Sequence, residues 1–212
     1  MTIFYLARHG EVPSNRDVIY IGQREEDLTE RGVQQTTSIA DMLIADMPKN
    51  EPLVAIYSSP LRRAAYLGLE LAKHFPGIEF SADPRITELH LGMFDGRYEA
   101  DVRREDEELY FKRQADKYGF VIPGGESYRM LEERVQFFVR DVRQAHPRDS
   151  VCVVSHQGTI RALIGVIDPT IPKEHVPCLI IPQDAYIKLT ETGTGVIRRV
   201  IGDLQTGLED SL

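Results

Sequence analysis

Thr2-Ile3-Phe4-Tyr5-Leu6-Ala7-Arg8-His9-Gly10-Glu11 reads as a buried strand that ends abruptly in charge. The apolar run, rich in β-formers, has the length of a core strand. The polar residues begin where such a strand would leave its sheet. The same arrangement returns twice. Leu53 to Ser58 is a second apolar run, followed by Ser59-Pro60-Leu61-Arg62-Arg63. Val151 to Ser155 is a third, followed by His156-Gln157-Gly158 and a helical segment from about Thr159. After the second run, Ser59 reads as an N-cap with Pro60 at the first helical position. Ala64, Leu67, Leu71 and Phe75 then form the inward stripe.

Working outward, Thr29 can cap a helix reaching about Met47, with Ile39, Leu43 and Met47 four apart, and Pro48 stops it. Ile78 to Ser81 reads as a short strand. Residues 96–118 are dense in mixed charge and read as a helical excursion, so the segment 89–126 is expected to be a cap or insertion. Pro123-Gly124-Gly125 breaks the chain, and Ser127 opens a long helix to about His146 whose apolar face is Leu131, Val135, Phe138 and Val142. Ala185 to Thr190 and Val196 to Ile201, joined through Gly193-Thr194-Gly195, predict a hairpin. Strands alternating with helices point to an α/β layered fold with a mostly parallel sheet. No repeat and no Gly/Ser/Pro-rich linker divides the chain, so residues 1–212 are expected to form one domain.

A chain of 212 residues can remove about 70% of its unfolded surface on folding and needs no disulfide or metal to build a core. The 25 basic against 33 acidic residues give a net charge of −8. That balance argues against nucleic-acid and anionic-membrane partners, which call for a positive field. Cys152 and Cys178 are too few for a disulfide framework, and Met1 leads into the first strand without a basic start or cleavage site. A cytoplasmic location is expected.

In open α/β sheets ligands sit beyond the carboxyl ends of parallel strands. If the three polar strand ends are neighbours, two histidines and two or three arginines converge there. Helix N-termini beside them add N–H donors. Such a pocket suits a phosphoryl group, whose oxygens match the planar fork of arginine. No Gly-rich lysine loop is present, nor a His-x-x-x-His pair or a carboxylate cluster that would clearly hold a metal, so no metal or cofactor is expected. One neutral imidazole can attack phosphorus while the other, protonated, binds the oxygens. Glu88, after the Pro84-Arg85 break at the edge of the expected cap, can serve as acid and then base.

Six pieces occur in order: Arg8-His9-Gly10-Glu11 with Asn15; Leu28-Thr29-x-x-Gly32-x-x-Gln35; Ser58-Ser59-Pro60-Leu61-x-Arg63-Ala64; Glu88-Leu89-x-x-Gly92-x-x-Asp95-Gly96; Pro123-Gly124-Gly125-Glu126-Ser127; and Val153-Val154-Ser155-His156. Together they resemble the histidine phosphatase superfamily, the phosphoglycerate-mutase-like group. The resemblance implies a three-layer α/β/α fold with a helical cap, and a phosphatase acting on a small phosphorylated metabolite. It implies His9 as the nucleophile that becomes phosphohistidine and Glu88 as proton donor and later base. Arg8, Arg63 and His156 would bind the phosphoryl oxygens, with Asn15, Ser59 and the Gln157-Gly158 segment completing the cradle. The sequence departs from the family pattern at Val12, Glu25, Leu67 and Gln157, of which Val12 and Gln157 are expected to line the pocket.

Other residues have plainer readings. Arg62 suits a solvated first turn, and His74 and His146 suit helix C-termini. His90 is open between substrate contact and surface. His175 has no assignment. The run Arg103 to Glu108 reads as a solvated helix face. Two readings compete with hydrolysis. One is a cofactor-dependent phosphoglycerate mutase, against which the short stretch from Glu88 to His156 speaks. The other is a phosphate-binding relative without turnover, against which the full set of key residues speaks. A homodimer is left open.

Overall fold

In the computed structural model, which describes residues 1–47 and 53–202, Ile3–Arg8 forms strand β1. A single helical turn, α1 (Pro13–Arg16), follows it, and α2 spans Glu30–Asp46. The Thr29 hydroxyl accepts from the Gly32 N–H at 3.0 Å and caps α2 as expected. Pro48, the expected stop, lies outside the described residues. Next come β2 (Leu53–Ser58), α3 (Arg62–His74) and the short β3 (Glu79–Ala82). The charged excursion is two helices, α4 (Glu99–Glu105) and α5 (Glu107–Ala115). Ser127 caps the long α6 (Tyr128–Ala145), and β4 (Ser150–Ser155) runs straight into α7 (Gln157–Ile167). The hairpin β5 (Ala185–Thr192) and β6 (Gly195–Gly202) closes the sheet.

Sheet order is β3-β2-β4-β1-β5-β6. The first four strands are parallel, and β5 pairs antiparallel with both β1 and β6. β4 is buried at every position because it is flanked by β2 and β1 and covered on both faces. Alternation along the strands divides the core in two. Tyr5, Ala7, Ile56, Cys152 and Val154 face α2 and α3 through Ile39, Leu43, Leu67 and Leu71. Phe4, Leu6, Val151 and Val153 face α6 and α7 through Leu131, Val135, Phe138, Ile160 and Leu163. The layering is α/β/α, and the expected neighbours meet: β1, β2 and β4 end side by side. Among the described residues no helix is long and apolar enough to cross a membrane.

Two local expectations change. Ser59 does not cap α3: the N-cap is Leu61, and the Arg62 N–H at that helix end donates to the Glu25 carboxylate at 3.1 Å. The Ser59 hydroxyl accepts from the Leu61 N–H at 3.3 Å, one residue short of the helix, and also meets the buried His156 ring, while a solvated helix end can use an exposed carboxylate. Val12 is fully buried as the N-cap of α1 and does not line the cavity described below. Its N–H donates to Asn15 Oδ1 at 3.2 Å, so the residue shapes the turn from beneath.

Candidate active site

A cavity of about 450 Å³ opens beyond the carboxyl ends of β1, β2 and β4, walled by Arg8, His9, Arg63, Glu88 and Gln157, with the α5 segment of the cap alongside. Its volume suits a small ligand. His9 leaves β1 with its backbone N–H donating to the Ser155 carbonyl at 3.1 Å, which ties it to the end of β4. The next residue must be glycine, because a Cβ on Gly10 would lie 2.0 Å from the Gly32 carbonyl oxygen. The loop after β1 can therefore sit directly on the start of α2.

His9 Nδ1 lies 2.7 Å from the Gly10 carbonyl oxygen. A carbonyl can only accept, so Nδ1 carries the proton and Nε2 keeps its lone pair. Burial, then the charges of Arg8 and Arg63, push His9 well below the ordinary histidine value, outweighing the opposing effect of the Gly10 bond. The ring is neutral at physiological pH. His156 stands 5.0 Å away between ring centres, edge toward face. Its Nε2 is 2.8 Å from the Ser59 hydroxyl, and Nδ1 is buried without a partner among the described residues. Burial, then the neighbouring His9 ring and the guanidinium groups of Arg63, Arg8 and Arg134, lower its value as well. Against the expectation that one imidazole is held protonated, two histidines beside two guanidinium groups are both disfavoured as cations.

Arg63 is 1% exposed, in the first turn of α3. Its terminal nitrogens donate to the Arg24 carbonyl at 2.6 Å and the Gly22 carbonyl at 2.7 Å. Arg62, one residue earlier, points to Glu25 and Asp27 at the surface, as its plainer reading held. Arg8 donates to the Ile181 carbonyl at 3.2 Å, and burial with the nearby Arg161 and Arg63 pulls it down to about 10 against the opposing pull of Glu88. It stays charged at neutral pH.

Glu88 is held from all sides. Its Oε1 accepts from the Leu89 N–H at 2.8 Å and the Thr159 N–H at 3.1 Å, and its Oε2 from the Gly158 N–H at 3.1 Å. The carboxyl thus sits on the N-terminus of α7, where the dipole favours it. A Cβ on Gly158 would come within 2.5 Å of Glu88 Oε1, which accounts for glycine there. Gly158 and Gln157 both line the cavity, and the Gly158 N–H donates to Glu88 Oε2. Ser59 and His156 are both fully buried and neither is among the residues lining the cavity; they lie behind His9, with Ser59 supporting the His156 ring. Asn15 does line the cavity, and its Oδ1 accepts from Gln183 Nε2 at 2.7 Å.

Several site residues escape sequence reasoning. Arg134, on α6, donates to the carbonyls of Arg85 at 2.6 Å and of Thr87 and Glu88 at 2.9 Å, while Glu126 anchors its other edge. It clamps the loop that carries Glu88. Arg161, Arg113, Lys117 and Gln183 line the cavity. His90 is exposed and outside the lining, His146 bonds the Tyr57 hydroxyl at 2.8 Å at the end of α6, and His175 precedes a 3-10 turn. Among the described residues no group of three or more His, Cys, Asp or Glu side chains is gathered to hold a metal ion.

The lowered histidines make stability depend on pH. An unfolded histidine takes up its proton near 6.5, while folded His9 and His156 resist until lower pH. The unfolded chain then binds more protons, so the contribution is complete above 6.5 and is lost as pH falls toward the folded values. The urea midpoint is expected to drop between about pH 7.5 and about pH 5. A His9→Gln, His156→Gln double variant should show a shallower drop, and an identical slope would contradict the assignment.

The histidine phosphatase superfamily (branch 1) model matches residues 4–201. The chain is 34% identical over 164 residues to a metal-independent phosphoserine phosphatase of Arabidopsis thaliana, covering 77% of this chain and 67% of that protein. It is 33% identical over 163 residues to phosphoserine phosphatase 1 of Hydrogenobacter thermophilus, covering 77% and 74%. The crystal structure of the alpha-ribazole phosphatase from Shigella flexneri superposes with a TM-score of 0.80 at 25% identity, over 98% of this chain and 100% of that one. With a match across nearly the whole chain, on a fold whose strand ends gather His9, Arg8, Arg63 and His156, the protein belongs to the histidine phosphatase superfamily as a phosphatase of that type.

Proposed function

We propose that this phosphatase hydrolyses a small phosphomonoester through a phosphohistidine on His9, with Glu88 as acid and then base. The observation that carries the reading is the 2.7 Å bond from His9 Nδ1 to the Gly10 carbonyl, which leaves Nε2 as a neutral nucleophile among guanidinium groups. In the first step a bond forms between His9 Nε2 and phosphorus, the bond to the leaving oxygen breaks, and Glu88 gives that oxygen a proton. In the second, Glu88 takes a proton from water as the water oxygen attacks phosphorus, and the Nε2–phosphorus bond breaks. Arg8 Nε and Arg63 Nε are buried donors with no partner among the described residues, and His156 Nδ1 is a buried ring nitrogen likewise without one. A donor left so costs about 1–3 kcal/mol, which the phosphoryl oxygens would recover. Cys152 and Cys178 are both free thiols, which supports a cytoplasmic setting.

The test is chemical trapping. Rapid alkaline quench during turnover of an aryl phosphate, followed by peptide mass spectrometry, should find an acid-labile phosphoryl group on His9. Turnover with no adduct on His9, and instead one on another side chain, would overturn the reading.

A further inference from the structure

Phosphoryl transfer makes a demand on relative position. The cation must grip the phosphoryl oxygens while the acid meets the leaving oxygen, roughly in line with the attacking atom. Arg63 stands in the first turn of α3, and Glu88 on the loop beyond β3 and the 3-10 turn Pro84–Ile86. The N-terminus of α7 and Arg134 of α6 fix Glu88, but neither bonds Arg63. Burial lowers the Arg63 value, and Glu88 is foremost among the charges that raise it, as expected of groups that face each other.

One short segment bonds both. The carbonyls of Arg24 and Gly22 take the two terminal nitrogens of Arg63, and the side chain between them, Gln23, donates from Nε2 to the Glu88 carbonyl at 2.9 Å. Three successive residues thus hold the cation by their backbone and the acid's own residue by a side chain. The segment is itself pinned. The Gly22 N–H donates to Asp95 Oδ1 at 2.8 Å, and the Gly96 N–H to the Tyr20 carbonyl at 2.7 Å. It lies directly on the Glu88 loop, since a Cβ on Gly22 would come within 2.9 Å of the Leu89 carbonyl oxygen. Gln23 is half-buried and outside the cavity lining, so it acts on substrate only through its neighbours.

We propose that Gln23 is a positioning residue that sets the Glu88 acid in its working place relative to Arg63. The inference rests on the hydrolytic reading above and adds to it the residue that joins its two halves. Without the Nε2 bond the Glu88 carbonyl keeps Arg134 alone, and the loop loses its tie to the segment that holds Arg63. The acid then meets the leaving oxygen in fewer of its arrangements, and the loss falls on the step that needs a proton.

Leaving groups that differ in that need test the proposal. The kcat/KM of the intact protein, which covers steps up to the phosphohistidine, is measured on nitrophenyl phosphate and on a small alkyl phosphate that the parent protein turns over. Gln23→Met keeps the length of the side chain and removes the donor. The alkyl-to-aryl ratio is expected to fall by about tenfold, since small misplacements of a catalytic group have large effects on rate. In a Glu88→Gln background the same substitution should change the ratio by less than about twofold, because residues that act as a unit are not additive. An unchanged ratio in Gln23→Met, with or without a lower Tm, would overturn the proposal, and so would a tenfold fall repeated in the Glu88→Gln background. Each ratio is read within one variant, so a reduced folded fraction cancels. If Gln23→Met does not fold, Gln23→Asn, whose amide ends one methylene short, is held to the same outcomes. Absence of a His9 adduct in the parent protein, or a Glu88→Gln variant fully active on the alkyl ester, would instead overturn the hydrolytic reading.

Discussion

His9→Ala is expected to lower kcat/KM for an aryl phosphate by about 10⁴-fold or more, the scale seen when a covalent nucleophile is removed. The loss falls on chemistry. Arg8, Arg63 and His156 draw their positions from contacts that do not involve the His9 side chain: the carbonyls of Ile181, Gly22 and Arg24, and the Ser59 hydroxyl. Inorganic phosphate should therefore still protect the variant against thermal unfolding, a ligand effect read as a rise in Tm. Steady-state assays with a purified variant decide it. Turnover within tenfold of the parent protein would place the nucleophile elsewhere.

Glu88→Gln is expected to cost about 10²–10⁴-fold in kcat on alkyl phosphates, the span of general acid–base catalysis. An aryl phosphate should separate its two duties. Nitrophenolate departs without a proton, so His9 is phosphorylated readily, but the attacking water then lacks its base. Phosphohistidine should accumulate, and a burst of nitrophenol should precede a slow steady state. The substitution also carries a structural cost. Glu88 accepts from Gly158 on one oxygen and from Leu89 and Thr159 on the other. Whichever way the glutamine amide turns, its NH2 meets an N–H donor, at about 1–3 kcal/mol. A Tm measured beside the kinetics separates the two effects, and equal loss on alkyl and aryl substrates with no burst would remove Glu88 from both roles.

Most of this site was legible because polar residues at the end of an apolar strand have few places to go. Once β1, β2 and β4 are neighbours, His9, Arg63 and His156 converge by topology alone. The core was legible for a similar reason, as the stripes Ala64-Leu67-Leu71 and Leu131-Val135-Phe138 repeat at helical spacing and are buried. Competition between partners was not legible. Ser59 has the chemistry of a cap, but its hydroxyl is shared between the Leu61 N–H and buried His156, and Glu25 takes over the helix end. Val12 turns under its loop rather than into the pocket, and for a hydrophobic residue in a polar loop the sequence leaves both directions open. Arg134 stands on a helix whose pattern announces only its apolar face, and what it clamps is backbone carbonyl, which leaves no mark in a sequence. Arg113 and Lys117 were hidden in a charged run for a sharper reason. α5 has no fully buried residue, so no stripe tells which side of it looks inward.

The pairing of β1 with β4 bears on how this enzyme comes into being. Ile3–Arg8 leaves the ribosome early, yet its sheet partner Ser150–Ser155 emerges only after the cap and α6 have been made. Contacts so distant in sequence must overcome loop-closure entropy before they return any stability, so they form late and slowly. His9 and His156 sit at the ends of those two strands, and the backbone bond from His9 to Ser155 is part of the same ladder. Nascent and half-folded chains therefore hold the nucleophile apart from its partner, and phosphatase activity switches on only when the central pair of strands has closed.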